Sequence, residues 1–300
     1  MDRRLSQLLP LAPLLLAASL AAQSSGLKVY ISADMEGVAG VVTGEQLGPS
    51  GFEYGRFRQF MTAEVLAAVE GAREAGATEI LISDSHGNGQ NLLIEQFSDD
   101  IQIVRAWPRP LMMMQGIDAS FDAAIFIGYH AATTNPAGVR AHTFSSARLT
   151  GVYLNGVAMS EAGFNAAIAG HFNVPVVMVS GDDAIISEAR ALLGGVEGAV
   201  VKWAYGFHSA RTLTPAAAQV LIRETVTRAL ENRRRVKPYR VKKPARLEVR
   251  FKNYRVVELL DYLPQVERTD AHTIRFEGSD MLEVSRFLEF ILTYSPDLSP

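Results

Sequence analysis

The chain has no cysteine. That excludes disulfides, thiolate metal ligands, a cysteine nucleophile and a lipid-modified N-terminal cysteine. Stability must then come from the core, from metal or from oligomerisation. No charge of one sign dominates either, with Lys+Arg 29 against Asp+Glu 32. A broad basic field to attract nucleic acid is therefore missing. The densest basic stretch, Arg233-Arg234-Arg235 through Lys242-Lys243, is broken by Val236, Pro238, Tyr239 and Val241. It reads as a solvated helix end and linker, because a phosphate-binding face repeats its charges along one surface. Long apolar runs are scarce too. Residues 8–22 form one, interrupted by Pro10 and Pro13, and it falls short of the ~18–20 residues a membrane span needs. Arg3 and Arg4 precede it and Ser19-Leu20-Ala21 closes it, the pattern of a signal peptide over residues 1–22. Export is expected, to the periplasm or the medium, with the mature chain starting near Ala22 or Gln23 and no membrane association afterwards.

With 48% apolar residues in 300, there is enough hydrophobic surface for one large core or two modest ones. After the leader, strand and helix alternate. Residues 27–33 are a short apolar run ending in polar residues, as in a buried strand. Residues 54–75 place Phe57, Met61, Val65 and Val69 on one helical face, and Gly76 ends the helix. Further strands are expected at 78–83, 101–105, 123–128, 175–180 and 199–203. Helices are expected at 158–172, 185–193 and 215–233, a short one at 110–116 carries Met112, Met113 and Met114 as core filler, and 148–156 reads as a strand and turn. The expected fold class is α/β, a largely parallel sheet flanked by helices on both faces. Beyond Pro238 the texture changes to half-exposed strands at 246–251 and 272–276 and a helix at 280–294. The chain thus divides into an α/β metal-binding catalytic domain over 27–237 and a smaller α+β lobe over 238–300.

Hard metal-ligand side chains fall at strand ends or on helices in five separated segments. Asp34 and Glu36 follow the first strand, His86 follows the second, His130 follows the 123–128 strand, His142 sits in a polar loop, and Glu161 lies on a helix. In open α/β sheets ligands collect beyond the carboxyl ends of strands. Residues two apart in extended chain project to one side, so Asp34 and Glu36 aim at one locus, and Gly37 lets the chain turn sharply after them. Carboxylates and imidazoles in this company suit two divalent cations better than one, the usual device for activating water against an amide or phosphate bond. Each residue has a plainer explanation when taken alone. Asp34 or Glu36 could cap a helix, His86 could be a turn residue, His130 a hydrogen-bonded core histidine, and Glu161 a partner of Arg148 or Arg140. Their coincidence at strand ends favours a shared site. His171 closes a helix, where an imidazolium interacts favourably with the C-terminus; His208 and His272 have no assigned role.

The segments A-D-M-E-G, D-S-H-G, G-Y-H-A and S-E-A-G-F-N, with V-P-V-V-M-V-S-G-D-D and the C-terminal D-M-L-E, resemble in order and spacing those of the zinc-dependent D-aminopeptidases. The similarity runs from about residue 27 to 294. It implies two Zn²⁺ per subunit, with Asp34 bridging, Glu36 and His86 completing one site, and His130 and Glu161 the other. It implies His142 as the catalytic histidine beside the metals, short D-peptides such as D-Ala-D-Ala as substrates, and a homo-oligomer built as a ring-shaped decamer. Two departures stand out: Ser160 occupies the position where the family has glycine, and the leader is unlike the intracellular family members.

The activity expected is hydrolysis of short peptides from a free N-terminus, with His142 either transferring protons or attacking directly. A dimetal phosphoesterase uses the same ligand types, but the ligand segments lack a cluster of Arg or Lys for phosphate. A non-catalytic exported peptide-binding protein would leave the loop histidine without a purpose.

Overall fold

The computed structural model describes residues 26–295. The signal peptide expected over residues 1–22 lies outside them. Among the described residues no helix is long and apolar enough to cross a membrane.

β1 (Leu27–Ala33) leads through a long loop to α1 (Tyr54–Glu74), and β2 (Ala77–Asp84) and β3 (Gln102–Val104) follow. The expected helix at 110–116 is a single 3-10 turn at Met112–Met114, whose three side chains are buried. β4 (Ala123–Tyr129) is followed by a loop and then by the hairpin of β5 (Leu149–Leu154) and β6 (Val157–Ala158). Next come α2 (Glu161–His171), β7 (Val176–Asp182), α3 (Asp183–Leu193), β8 (Glu197–Gly206), β9 (Ser209–Thr212) and α4 (Pro215–Glu231). β10 (Ala245–Phe251), α5 (Tyr254–Leu260), β11 (Val266–Arg268), β12 (Thr273–Gly278) and α6 (Met281–Thr293) complete the described chain.

The larger sheet has the order β3-β2-β1-β4-β7-β8-β9, parallel except for the antiparallel β8–β9 edge. The α/β class expected from the alternation is the one observed. Successive side chains on a strand face opposite ways. Val29 and Ile31 of β1 accordingly join the core beneath α1 and α4, whereas Tyr30 joins the one beneath α2 and α3. Because β2 and β3 lie on one side of β1 and β4 on the other, the strand order reverses between the parallel neighbours β1 and β4, which opens a crevice at their carboxyl ends.

The smaller, antiparallel sheet has the order β11-β12-β10-β5-β6. It takes β5 and β6 from within residues 27–237, so it is not confined to the segment after residue 238. Val249 pairs with Val152, and Val152, Val249, Phe276 and Leu288 share one hydrophobic core with Tyr30 and Phe126 of the larger sheet. That continuity presses α6 against the crevice.

Candidate metal centre

The carboxyl ends of β1 and β4 approach so closely that two glycines are required there. A Cβ on Gly37 would stand 2.0 Å from the Tyr129 carbonyl oxygen, and one on Gly128 would stand 2.1 Å from that of Asp34. Gly128 also has φ +73°, a conformation costly for other residues. Gly37 serves close approach rather than a left-handed turn. Its N–H donates to Gly128 O at 2.6 Å, and the Asp34 N–H donates to Ile127 O at 2.8 Å. These bonds bring the Asp34-Met35-Glu36 segment over His130.

The crevice gathers every residue that the sequence nominates. His86 Nδ1 lies 3.1 Å from Asp34 Oδ1 and 2.8 Å from Glu36 Oε2. His130 Nε2 lies 3.2 Å from Asp34 Oδ2 and 3.4 Å from Glu161 Oε2. Asp34, with one oxygen toward each imidazole, stands between two groups: Asp34, Glu36 and His86 on one side, His130, His142 and Glu161 on the other. His142 Nε2 faces both, 4.0 Å from Glu36 Oε1 and 3.7 Å from Glu161 Oε1, and its ring stacks on that of His130 at 4.1 Å. Glu161 makes no ion pair with Arg148 or Arg140. Its Oε1 instead accepts the Phe144 N–H at 2.7 Å. Ser160 fits without penalty as the N-cap of α2, its hydroxyl accepting the Gly163 N–H at 3.3 Å.

The hydrogen bonds behind the imidazoles show what the centre is built to hold. In all three histidines the outer ring nitrogen meets a backbone carbonyl: His86 Nε2 with Leu47 O at 2.7 Å, His130 Nδ1 with Ala131 O at 3.1 Å, and His142 Nδ1 with Arg140 O at 2.8 Å. Each outer nitrogen must therefore carry its proton, which turns the lone pair of a neutral ring inward toward the carboxylates. Lone pairs facing carboxylate oxygens at about 3 Å repel unless a cation lies between them. Asp34 Oδ2, Glu36 Oε2 and His130 Nε2 are buried without a hydrogen-bond partner. Such orphaned atoms are costly in an interior and are what a metal would satisfy. The donor set, oxygen and imidazole without thiolate, fits zinc in a hydrolytic centre.

Protonation behaviour agrees. Burial pulls the His86 and His130 imidazoles down, but Glu36 and Asp34 beside the first, and Glu161 and Asp34 beside the second, outweigh it and hold both well above their ordinary value. Burial lifts Glu36, yet His86, His142 and His130 drive it well below the carboxylate range, and Glu161 is lowered in the same way, chiefly by His130. Asp34 is raised by burial and by the neighbouring Glu36 carboxylate. Positive charge is demanded at the centre of the cluster, whether supplied by protons or by metal.

Supporting residues were not evident from the sequence. Lys202 of β8 is fully buried, and its Nζ donates to the carbonyls of Glu36, of Val38 at 3.1 Å and of Val41 at 2.7 Å. Burial lowers its ammonium to about 8. Asp84 ties the His86 loop by accepting the N–H groups of Asn91 at 2.6 Å and Leu92 at 2.8 Å. Asp182 caps α3 and accepts the Val139 N–H at 2.7 Å, fixing the start of the His142 loop. Arg140 (φ 54°) and Phe144 (φ 60°) flank His142 in the left-handed region, strain of roughly 1 kcal/mol each or more that these anchors offset.

The centre opens into a cavity of about 360 Å³ lined by Asp34, Glu36, His86, His142 and Glu161, with Trp107, Met113 and Phe144 on its walls. His130 lies behind, covered by His142. Buried carboxylates and tethered imidazoles at the switch point of an open α/β sheet, opening on a small cavity, define a metal-dependent hydrolase.

The chain matches the peptidase M55 family, D-aminopeptidase, over residues 27–290, and it belongs to that family. It is 35% identical over 261 residues to the D-aminopeptidase of Bacillus subtilis (strain 168), covering 86% of this chain and 93% of that protein. Its fold superposes with a TM-score of 0.85, at 32% identity, on the Zn-dependent D-aminopeptidase DppA from Bacillus subtilis, described as a self-compartmentalizing protease. That match covers 91% of this chain and 100% of the other.

Proposed function

We infer that the protein is a dizinc D-aminopeptidase that removes the N-terminal residue from short D-peptides such as D-Ala-D-Ala. The observation carrying this reading is the set of three histidines whose outer nitrogens are pinned to carbonyls while their inner nitrogens face buried carboxylates. Asp34 would bridge two zinc ions, with Glu36 and His86 holding one and His130 and Glu161 the other. Zinc, when bound, supplies a Lewis acid and a water acidified to a pKa of about 7. His142 does the proton work. Its Nδ1–H is held by Arg140 O, so Nε2 is the nitrogen turned toward the cavity, and it is the most accessible of the three imidazoles, with 16% of its side chain exposed. It takes a proton through Nε2 and returns it to the leaving amine. A free substrate amine would reach the centre as a neutral donor, which an acylated N-terminus cannot do, and this selects an unblocked N-terminus.

The cavity, at the small end of the usual ~300–1,000 Å³ range for ligand pockets, suits a short peptide. It carries a single Arg or Lys, Arg148, among its described lining residues, which disfavours a phosphoesterase. The relative's description as self-compartmentalizing and the exposure of Phe52, Tyr205 and Tyr262 support a homo-oligomer, a decamer in this proposal. The leader supports export to the periplasm or medium. The test is metal analysis of the purified mature protein alongside cleavage of paired D- and L-dipeptides. Two zinc per chain with D-selective release is expected. Metal-free protein that still cleaves, or selectivity for L-peptides, would contradict the reading.

A further inference from the structure

Charge is unevenly distributed around the cavity. Asp34, Glu36 and Glu161 line it at the metal centre, whereas Arg148 is exposed. Arg148 is carried on the same segment that presents His142 and Phe144 to the cavity, and a tight turn fixes it there. Its N–H donates to Ser145 Oγ at 3.2 Å, and the Leu149 N–H donates to Ser145 O at 3.0 Å. One Nη donates to the Leu292 carbonyl at the end of α6 at 2.5 Å, and Nε leans on Ser145 Oγ at 3.4 Å. That tether holds the guanidinium and leaves N–H groups free. The arginine ion pairs among the described residues do not include Arg148. Glu289, the cavity carboxylate on α6, is already engaged by the Arg109 N–H and the Thr293 hydroxyl, both at 3.1 Å.

An arginine fork matches a carboxylate in two parallel hydrogen bonds, and such pairs are short, strong and directional. We propose that Arg148 is a specificity-determining residue that receives the free C-terminal carboxylate of a short peptide. The proposal rests on the peptidase reading above and deepens it. The amino end of the substrate lies at the metal centre and its carboxylate end at Arg148, which lines the same cavity, so the enzyme reads both termini at once. A free acid is favoured over its amide, and a peptide short enough to fit between the two anchors over a longer one.

The experiment compares kcat/KM for D-Ala-D-Ala and for its C-terminal amide in the zinc-loaded wild type, Arg148→Gln and Arg148→Lys. The wild type should prefer the acid by about 10- to 100-fold, the range of a charge-assisted hydrogen bond, with the difference carried mainly by KM. In R148Q the ratio should fall toward one, and R148K should recover part of it by restoring charge without the fork. A wild type that treats acid and amide alike overturns the proposal. So does an R148Q that slows both substrates equally, since that marks Arg148 as a prop for α6 through Leu292. A wild type inactive on every D-dipeptide overturns the peptidase reading itself, and the proposal with it.

Discussion

Replacing Lys202 with methionine tests how the loop that carries Glu36 is held. The side chain keeps its volume but loses an ammonium that donates to the carbonyls of Glu36, Val38 and Val41. Three charge-assisted hydrogen bonds at the low end of their range amount to roughly 5 kcal/mol. Against this, burial lowers the Lys202 pKa from 10.5 to about 8, so the charged form already bears a penalty of about 3 kcal/mol that methionine relieves. The net loss at pH 7 is about 2 kcal/mol, which the fold should survive. The functional loss should be larger in proportion. Without the ammonium the Glu36 backbone is free to shift, and groups that orient a metal ligand typically change affinity by about 10–100-fold. Competition against a zinc chelator measures that affinity, and melting in saturating zinc measures the fold. A variant with lowered melting temperature but unchanged zinc affinity would refute the reasoning and make Lys202 a packing residue only.

Three further outcomes are expected. His142→Ala should abolish peptide turnover while zinc content persists; loss of metal together with activity would make His142 a ligand of the group containing His130 and Glu161. Glu64 is raised by burial from 4.5 to about 7, so its favourable contribution is complete below about pH 4.5 and is lost as pH rises through 7. Glu64→Gln should therefore be more stable than wild type by about 2–3 kcal/mol at pH 8 and show no such gain at pH 4.5, as read from urea melts at both values. Gly128→Ala places a methyl against the Asp34 carbonyl in a left-handed backbone and should cost more than about 3 kcal/mol or prevent folding, as thermal melts of soluble protein would show.

Much of this arrangement is legible in the sequence because chemistry and periodicity coincide. The strands of the larger sheet are apolar runs bounded by turns, and Asp34, Glu36, His86 and His130 follow them where a switch-point ligand would lie. β9 escapes notice because Ser-Ala-Arg-Thr alternates nothing apolar, and α5 and β11 are too short for a clear period. The pairing of β5 with β10 joins residues about a hundred positions apart, and no local signal announces it. Lys202 is hidden for another reason. A lysine in a strand normally points to solvent, and its partners here are carbonyl groups, which every residue possesses. The cavity role of Arg148 is likewise invisible until α6 closes over the turn that carries it.

The most direct test of the central claim is a zinc-edge anomalous difference map from crystals of the mature protein. The account predicts two peaks per chain, both touching Asp34, one beside Glu36 and His86 and the other beside His130 and Glu161. A single peak, or metal bound away from Asp34, would contradict it.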